Sequence, residues 1–107
     1  MPNKQLDNIT HHAEVSEKVI ERYLVDRIKM NGLPCLKYSN PNETGYPDRL
    51  IVLRDGAVVW VELKSKGRKP SRSQELRIAR LRGLGHTVEI IDNKADVDAL
   101  VEKICDL

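Results

Sequence analysis

No stretch of the 107 residues is apolar for long enough to cross a bilayer, which takes roughly 20 consecutive residues, and Met1 to Thr10 is too polar for a secretory signal. The expected compartment is therefore the cytoplasm, or for a phage protein the cytoplasm of its host. Cysteine is scarce. Cys35 and Cys105 lie far apart, with no Cys-x-x-Cys and no histidine at ligand spacing, so neither a disulfide framework nor a zinc module is expected and both read as free thiols. No internal repeat or low-complexity tract is present, and the length suits a single domain, 1–107, in which 1–12 is expected to be a mobile N-terminal segment.

What remains is the composition of a soluble globular protein, 40% hydrophobic and 32% charged. The formal net charge of +2 hides an asymmetry. Lys64 to Arg82 holds eight Lys and Arg (Lys64, Lys66, Arg68, Lys69, Arg72, Arg77, Arg80, Arg82) against one acid, Glu75, a local +7 that leaves the remainder at −5. A basic field beside an acidic region suits a polyanion. A solvated helix face is the plainer alternative, but the excess also covers a loop and is not balanced at i,i+4 spacing.

The acidic region lies around a hairpin. Leu50 to Leu53 and Val58 to Val61 are β-branched, aromatic or aliphatic, with Asp55-Gly56 between them. Both strands are apolar on both faces, which predicts a sheet interior covered on each side, and charges at its far end then need partners. Glu62 and Lys64, two apart, share a face. A two-residue turn would set Arg49 opposite Glu62 and send Asp48 to the other face. A three-residue turn, Arg54-Asp55-Gly56 with Gly56 left-handed, pairs Leu53 with Ala57 and sets Asp48 opposite Glu62. We favour the second, because opposed carboxylates make an oxygen-rich ligand pair for a divalent ion, with Lys64 beside it to stabilise charge developing on a phosphate or to hold water.

Pro47-Asp48, a hairpin, then Glu62-Leu63-Lys64 resembles the PD-(D/E)XK nuclease signature. With Gly45-Tyr46-Pro47-Asp48-Arg49, the basic loop, Gln74 and Leu81-Arg82-Gly83-Leu84-Gly85-His86, the chain is similar to the virus-type replication-repair nuclease (VRR-NUC) domain over roughly residues 16–98. The resemblance implies a restriction-endonuclease-like α/β fold with an αβββαβ core, a mixed central sheet flanked by helices, and here a C-terminal helix. It implies a metal-dependent DNA endonuclease leaving 5′-phosphate and 3′-hydroxyl ends. Mg²⁺ or Mn²⁺ would be held by Asp48, Glu62, the carbonyl of Leu63 and, directly or through water, Glu17. No organic cofactor is implied. Free-standing members act on branched DNA such as four-way junctions. Two symmetric nicks there need two sites, hence an expected homodimer whose candidate surfaces are the first helix and the Cys35 to Tyr38 strand. A flap or nicking nuclease and a non-catalytic DNA-binding module are the alternatives.

The flanking elements follow from periodicity. Val15, Val19, Ile20, Tyr23, Leu24 and Ile28 mark a helix from about Glu14 to Asn31, and Glu17 falls on its core-facing stripe. Glu17 is therefore either a site residue, as the resemblance has it, or a first-turn acid favoured by the helix dipole. Cys35 to Tyr38 reads as a strand and Ser39 to Gly45 as a loop; Ser65 to Pro70 reads as a flexible basic loop. Ser71-Arg72-Ser73-Gln74 matches a capping box, while the resemblance makes Gln74 a catalytic residue; the two roles are compatible. Lys66, Arg68, Lys69, Arg72 and Arg77 are the expected DNA contacts. His86 to Ile91 is a fourth strand, His86 reads as structural, and Asn93 caps a last helix carrying Val97, Leu100, Val101 and Ile104. His11-His12 suggests no more than a frayed end.

Overall fold

The computed structural model describes residues 16–105, so His11, His12, Val15 and the N-terminal segment lie outside the described residues. The elements run α1 (Glu17–Met30), β1 (Cys35–Lys37), β2 (Arg49–Val52), β3 (Val58–Leu63), α2 (Arg72–Gly83), β4 (Thr87–Ile91) and α3 (Lys94–Cys105). The sheet order is β1-β2-β3-β4, antiparallel until β3 meets β4 in parallel, which the intervening α2 makes possible. This is the expected mixed sheet of the αβββαβ core followed by a C-terminal helix. No helix among the described residues is long and apolar enough to cross a membrane.

The two faces of the sheet are treated differently. Ile51, Val59, Val61, Leu63 and Ile91 point to one side and pack on Ile20, Leu24 and Ile28 of α1 and on Val97, Leu100, Val101 and Ile104 of α3. Tyr23 Oη donates to Asp98 Oδ1 at 2.6 Å, and Arg27 pairs with the same carboxylate, tying the two helices together. On the other side Ile78 and Leu81 of α2 pack on Val88, Tyr46 and Trp60. That second layer is short. It leaves Leu36 of the edge strand 51% exposed and Leu50 half-buried, so the sheet is not covered on each side throughout as the strand composition suggested. Cys35 is buried, Cys105 is half-buried, and both are free thiols.

The hairpin has the three-residue turn. Leu53 N–H donates to the Ala57 carbonyl at 2.9 Å, Gly56 has φ +89°, and Val52 stands opposite Val58 and Arg49 opposite Val61. A positive φ at the third turn residue is why glycine occupies it. Continued one step, the register sets Asp48 opposite Glu62.

Candidate active site

The site forms where the β2–β3 ladder ends. Paired residues in an antiparallel ladder exchange both hydrogen bonds at every second position. Leu53 N–H donates to the Ala57 carbonyl while Val52 N–H turns the other way, to the Pro34 carbonyl, so the pairs placed to exchange both bonds are 51 with 59, 49 with 61 and 47 with 63. Position 47 is proline, buried and without an N–H, so it has no donor to return to the Leu63 carbonyl. On the same side the Leu63 N–H is taken by Asp48 Oδ2 at 3.4 Å. Pro47 thus ends the ladder, frees a carbonyl beside the acids and leaves the Asp48 side chain held by the strand opposite.

Glu62 is 1% exposed. Its Oε2 accepts from Gln74 Nε2 at 3.0 Å and lies 3.5 Å from Lys64 Nζ, while Oε1 is buried with no hydrogen-bond partner. Burial first, and then the Asp48 charge, push its pKa up to about 7 against the pull of Lys64. Burial likewise raises Asp48, opposed by its bond from the Leu63 N–H. Unpaired buried carboxylate oxygens are costly. A buried Glu62 Oε1 without a donor, facing a second carboxylate and next to a carbonyl with no opposite donor, is the donor set a hard divalent cation takes. The residues present therefore fit Mg²⁺ or Mn²⁺.

Glu17 is a first-turn acid, the second of its two readings, and does not lie on the buried stripe. The helix begins at Glu17 with Ser16 as its cap, the buried stripe is Ile20, Leu24 and Ile28, and Glu17 is an exposed first-turn residue. Its pKa is nevertheless raised, by partial burial and then by Asp48, with Lys64 opposing, so it looks into the site from the rim. Among the described residues no three acidic, histidine or cysteine side chains converge as a complete ligand set; the register brings Asp48 opposite Glu62, and Glu17 is near enough to feel the Asp48 charge. One turn on, Glu21 accepts from Arg49 Nε at 2.8 Å and lies 3.8 Å from Lys37 Nζ. This ion pair, with Arg49 side chain 17% exposed, fastens α1 to the residue after Asp48. Glu21 lies at the margin of the apolar stripe, four residues from Glu17, and that position is the signal for it in the sequence.

Gln74 caps its helix and also reaches the acidic pair. Its Oε1 accepts from the Ser71 N–H at 2.8 Å, its own N–H donates to Ser71 Oγ at 3.2 Å, and its Nε2 reaches Glu62. Lys66, Arg68, Lys69 and Arg72 are exposed. Arg72 opens α2, and the loop that carries the other three turns at its start: Arg68 N–H donates to Ser65 O at 2.9 Å, and Gly67 N–H to Asp92 Oδ2 at 3.1 Å. Arg77 is half-buried and engaged, its Nε donating to Thr44 O at 3.0 Å and its guanidinium lying 4.8 Å over the Tyr46 ring. With Arg72, Ser73, Leu76 and Arg80 it also lines a groove of about 540 Å³ on α2. The loop before Pro47 is thereby clamped to α2. Gly45 permits the approach, since a Cβ there would lie 2.6 Å from Ser73 Oγ.

The chain is similar to known proteins in sequence and in fold. A chain of solved structure described as "VRR_NUC domain" matches with a TM-score of 0.76 and 29% identity, over 82% of this chain and 96% of that one. A protein of Acyrthosiphon pisum secondary endosymbiont phage 1 named "Putative nuclease p44" is 38% identical over 80 residues, 75% of this chain and 86% of its own length. No family model matches the sequence.

Proposed function

Because the chain belongs to the VRR-NUC nucleases, we propose that it is a divalent-metal-dependent DNA endonuclease whose first substrate is branched DNA, with four-way junctions foremost. The observation that carries the metal dependence is Glu62 Oε1, buried without a partner and facing Asp48. Asp48, Glu62 and the Leu63 carbonyl would hold Mg²⁺ or Mn²⁺, with Glu17 joining from the rim through water. A cation there supplies positive charge against the phosphate and acidifies water. Lys64, whose side chain is 17% exposed and whose ammonium lies 3.5 Å from Glu62, is fixed where it can stabilise charge developing on the scissile phosphate. Gln74 holds Glu62 in place. Lys66, Arg68, Lys69 and Arg72 form a basic approach to the site, and Arg77 adds to it while clamping the loop.

A four-way junction needs two symmetric cuts, and one chain carries one set of Asp48, Glu62 and Lys64, so a two-fold homodimer is part of the proposal. Exposed Val19 on α1 and Leu36 on β1 support the two faces expected from sequence as its candidate interface.

The test is incubation of the purified protein with linear, flapped, forked and four-way DNA in Mg²⁺ and in Mn²⁺, with Asp48→Ala as control and light scattering for its mass in solution. Paired nicks on junctions by a dimer are expected. Cleavage of flaps or single nicks by a monomer would replace junction resolution with the narrower nicking activity, and metal-independent binding without cleavage would leave only a DNA-binding module.

A further inference from the structure

We infer that the main-chain N–H of Ser71 is a positioning group for the active site, acting through Gln74. The inference rests on the reading of Glu62 as a metal ligand. A capping box needs only an acceptor at the third helical position, and Glu serves there as well as Gln. Here the acceptor residue does two things at once. Gln74 Oε1 takes the Ser71 N–H at 2.8 Å, and Nε2, at the other end of the same rigid amide, donates to Glu62 Oε2 at 3.0 Å.

An amide has one acceptor end and one donor end, so fixing the first on a main-chain N–H fixes where the second points. Without that anchor the amide can turn its oxygen toward the Glu62 carboxylate, which would repel it. With it, Oε2 is engaged by Gln74 and Lys64, and Oε1 is the oxygen left over for a cation. A glutamate in place of Gln74 would satisfy the helix and place a second carboxylate on Glu62, which accounts for the amide here. The Ser71 hydroxyl contributes separately, by accepting from the Gln74 N–H at 3.2 Å. Because the group that orients is a backbone amide, truncating the Ser71 side chain would not reveal it.

Two substitutions separate the parts. Ser71 has φ −68° and ψ 168°, values proline adopts, so Ser71→Pro removes the N–H together with the hydroxyl, whereas Ser71→Ala removes only the hydroxyl. The first readout needs no metal: the Gln74 side-chain NH₂ signals of ¹⁵N-labelled protein. They should be slow to exchange in the native protein and in Ser71→Ala, and fast in Ser71→Pro. The second is Mn²⁺ affinity by calorimetry without DNA, expected to change less than about twofold in Ser71→Ala and to weaken about tenfold in Ser71→Pro, as loss of a group orienting a ligand does. Both variants should melt lower than the native protein. Equal protection of the Gln74 amide in all three proteins would overturn the inference, as would equal loss of Mn²⁺ affinity in the two variants, which would trace it to the helix cap in general. Native protein that binds no Mn²⁺ would instead overturn the metal reading, while the Gln74 signals still decide the role of Ser71.

Discussion

Replacing Glu62 by glutamine should make the metal-free protein more stable at pH 8. The carboxyl's pKa is raised from 4.5 to about 7 in the fold, so the folded protein prefers it protonated. The stability linked to that proton is complete below about pH 4.5 and is lost as pH climbs through about 7. At pH 8 the ionised side chain therefore costs the fold about 3 kcal/mol, at 1.36 kcal/mol per pKa unit. The amide of the Glu62→Gln variant cannot ionise and does not carry that cost. Part of the gain is offset because Lys64, 17% exposed and 3.5 Å from Glu62, loses its counter-charge. A net gain of about 1 to 2 kcal/mol is expected, or roughly 5 to 10 °C in Tm for a domain of this size. Thermal melts of both proteins in chelator, from pH 5 to pH 8.5, measure it. The gain should shrink toward pH 5, where the native Glu62 is already protonated. Added Mn²⁺ should raise the Tm of the native protein far more than that of the variant. A variant that melts lower than the native protein at pH 8, or a difference that does not change with pH, would refute the assignment of a strained, ionised Glu62.

Lys64→Ala should lower cleavage by about 100-fold or more while leaving DNA affinity in gel shifts within a few fold, since its ammonium is turned to Glu62 and not to the outer surface. Replacing two of Lys66, Arg68, Lys69 and Arg72 by Ala should weaken binding to every DNA structure alike and flatten the slope of log affinity against log salt by roughly 0.9 per lost contact. An unchanged slope would move the DNA path elsewhere. Gly45→Ala forces a Cβ to 2.6 Å from Ser73 Oγ and 2.9 Å from the Ser73 carbonyl at φ +96°. The conformational part alone costs about 1 to 2 kcal/mol, so a Tm lower by at least about 5 °C is expected, with reduced cleavage because the loop leads into Asp48.

The strands and the acidic pair were legible because they rest on local chemistry. β-branched runs mark β2 and β3, and two acids become ligands only if the turn puts them on one face, which selected the three-residue turn and the register now seen. The capping box at Ser71 was legible for the same reason. What escaped depends on distance in space. Glu17 sits on the apolar stripe of a helical wheel, but the wheel does not say that the helix starts at Glu17 and leaves that residue exposed at its first turn. The composition of β1 and β2 does not say that the second helical layer stops short and leaves Leu36 exposed. The engagement of Arg77 by Thr44 and Tyr46, and of Gly67 by Asp92, joins residues 33, 31 and 25 apart in sequence, beyond the reach of any local signal.

The geometry of the acids is decided at two points that carry no chemistry. At one end of the hairpin Gly56, by adopting φ +89°, adds the third turn residue; a two-residue turn would shift every pair by one and turn Asp48 to the opposite face from Glu62. At the other end Pro47 falls at the ladder position where an N–H would have closed on the Leu63 carbonyl. Were residue 47 any other amino acid, its N–H could donate to the Leu63 carbonyl and occupy the oxygen offered to a cation. A proline inside a ladder is otherwise a loss of one hydrogen bond with nothing gained. Its presence directly before Asp48 follows once the end of the ladder is understood as the place where the Leu63 carbonyl and Glu62 Oε1 are kept free of protein donors, while Asp48 Oδ2 and Glu62 Oε2 are held in place by theirs.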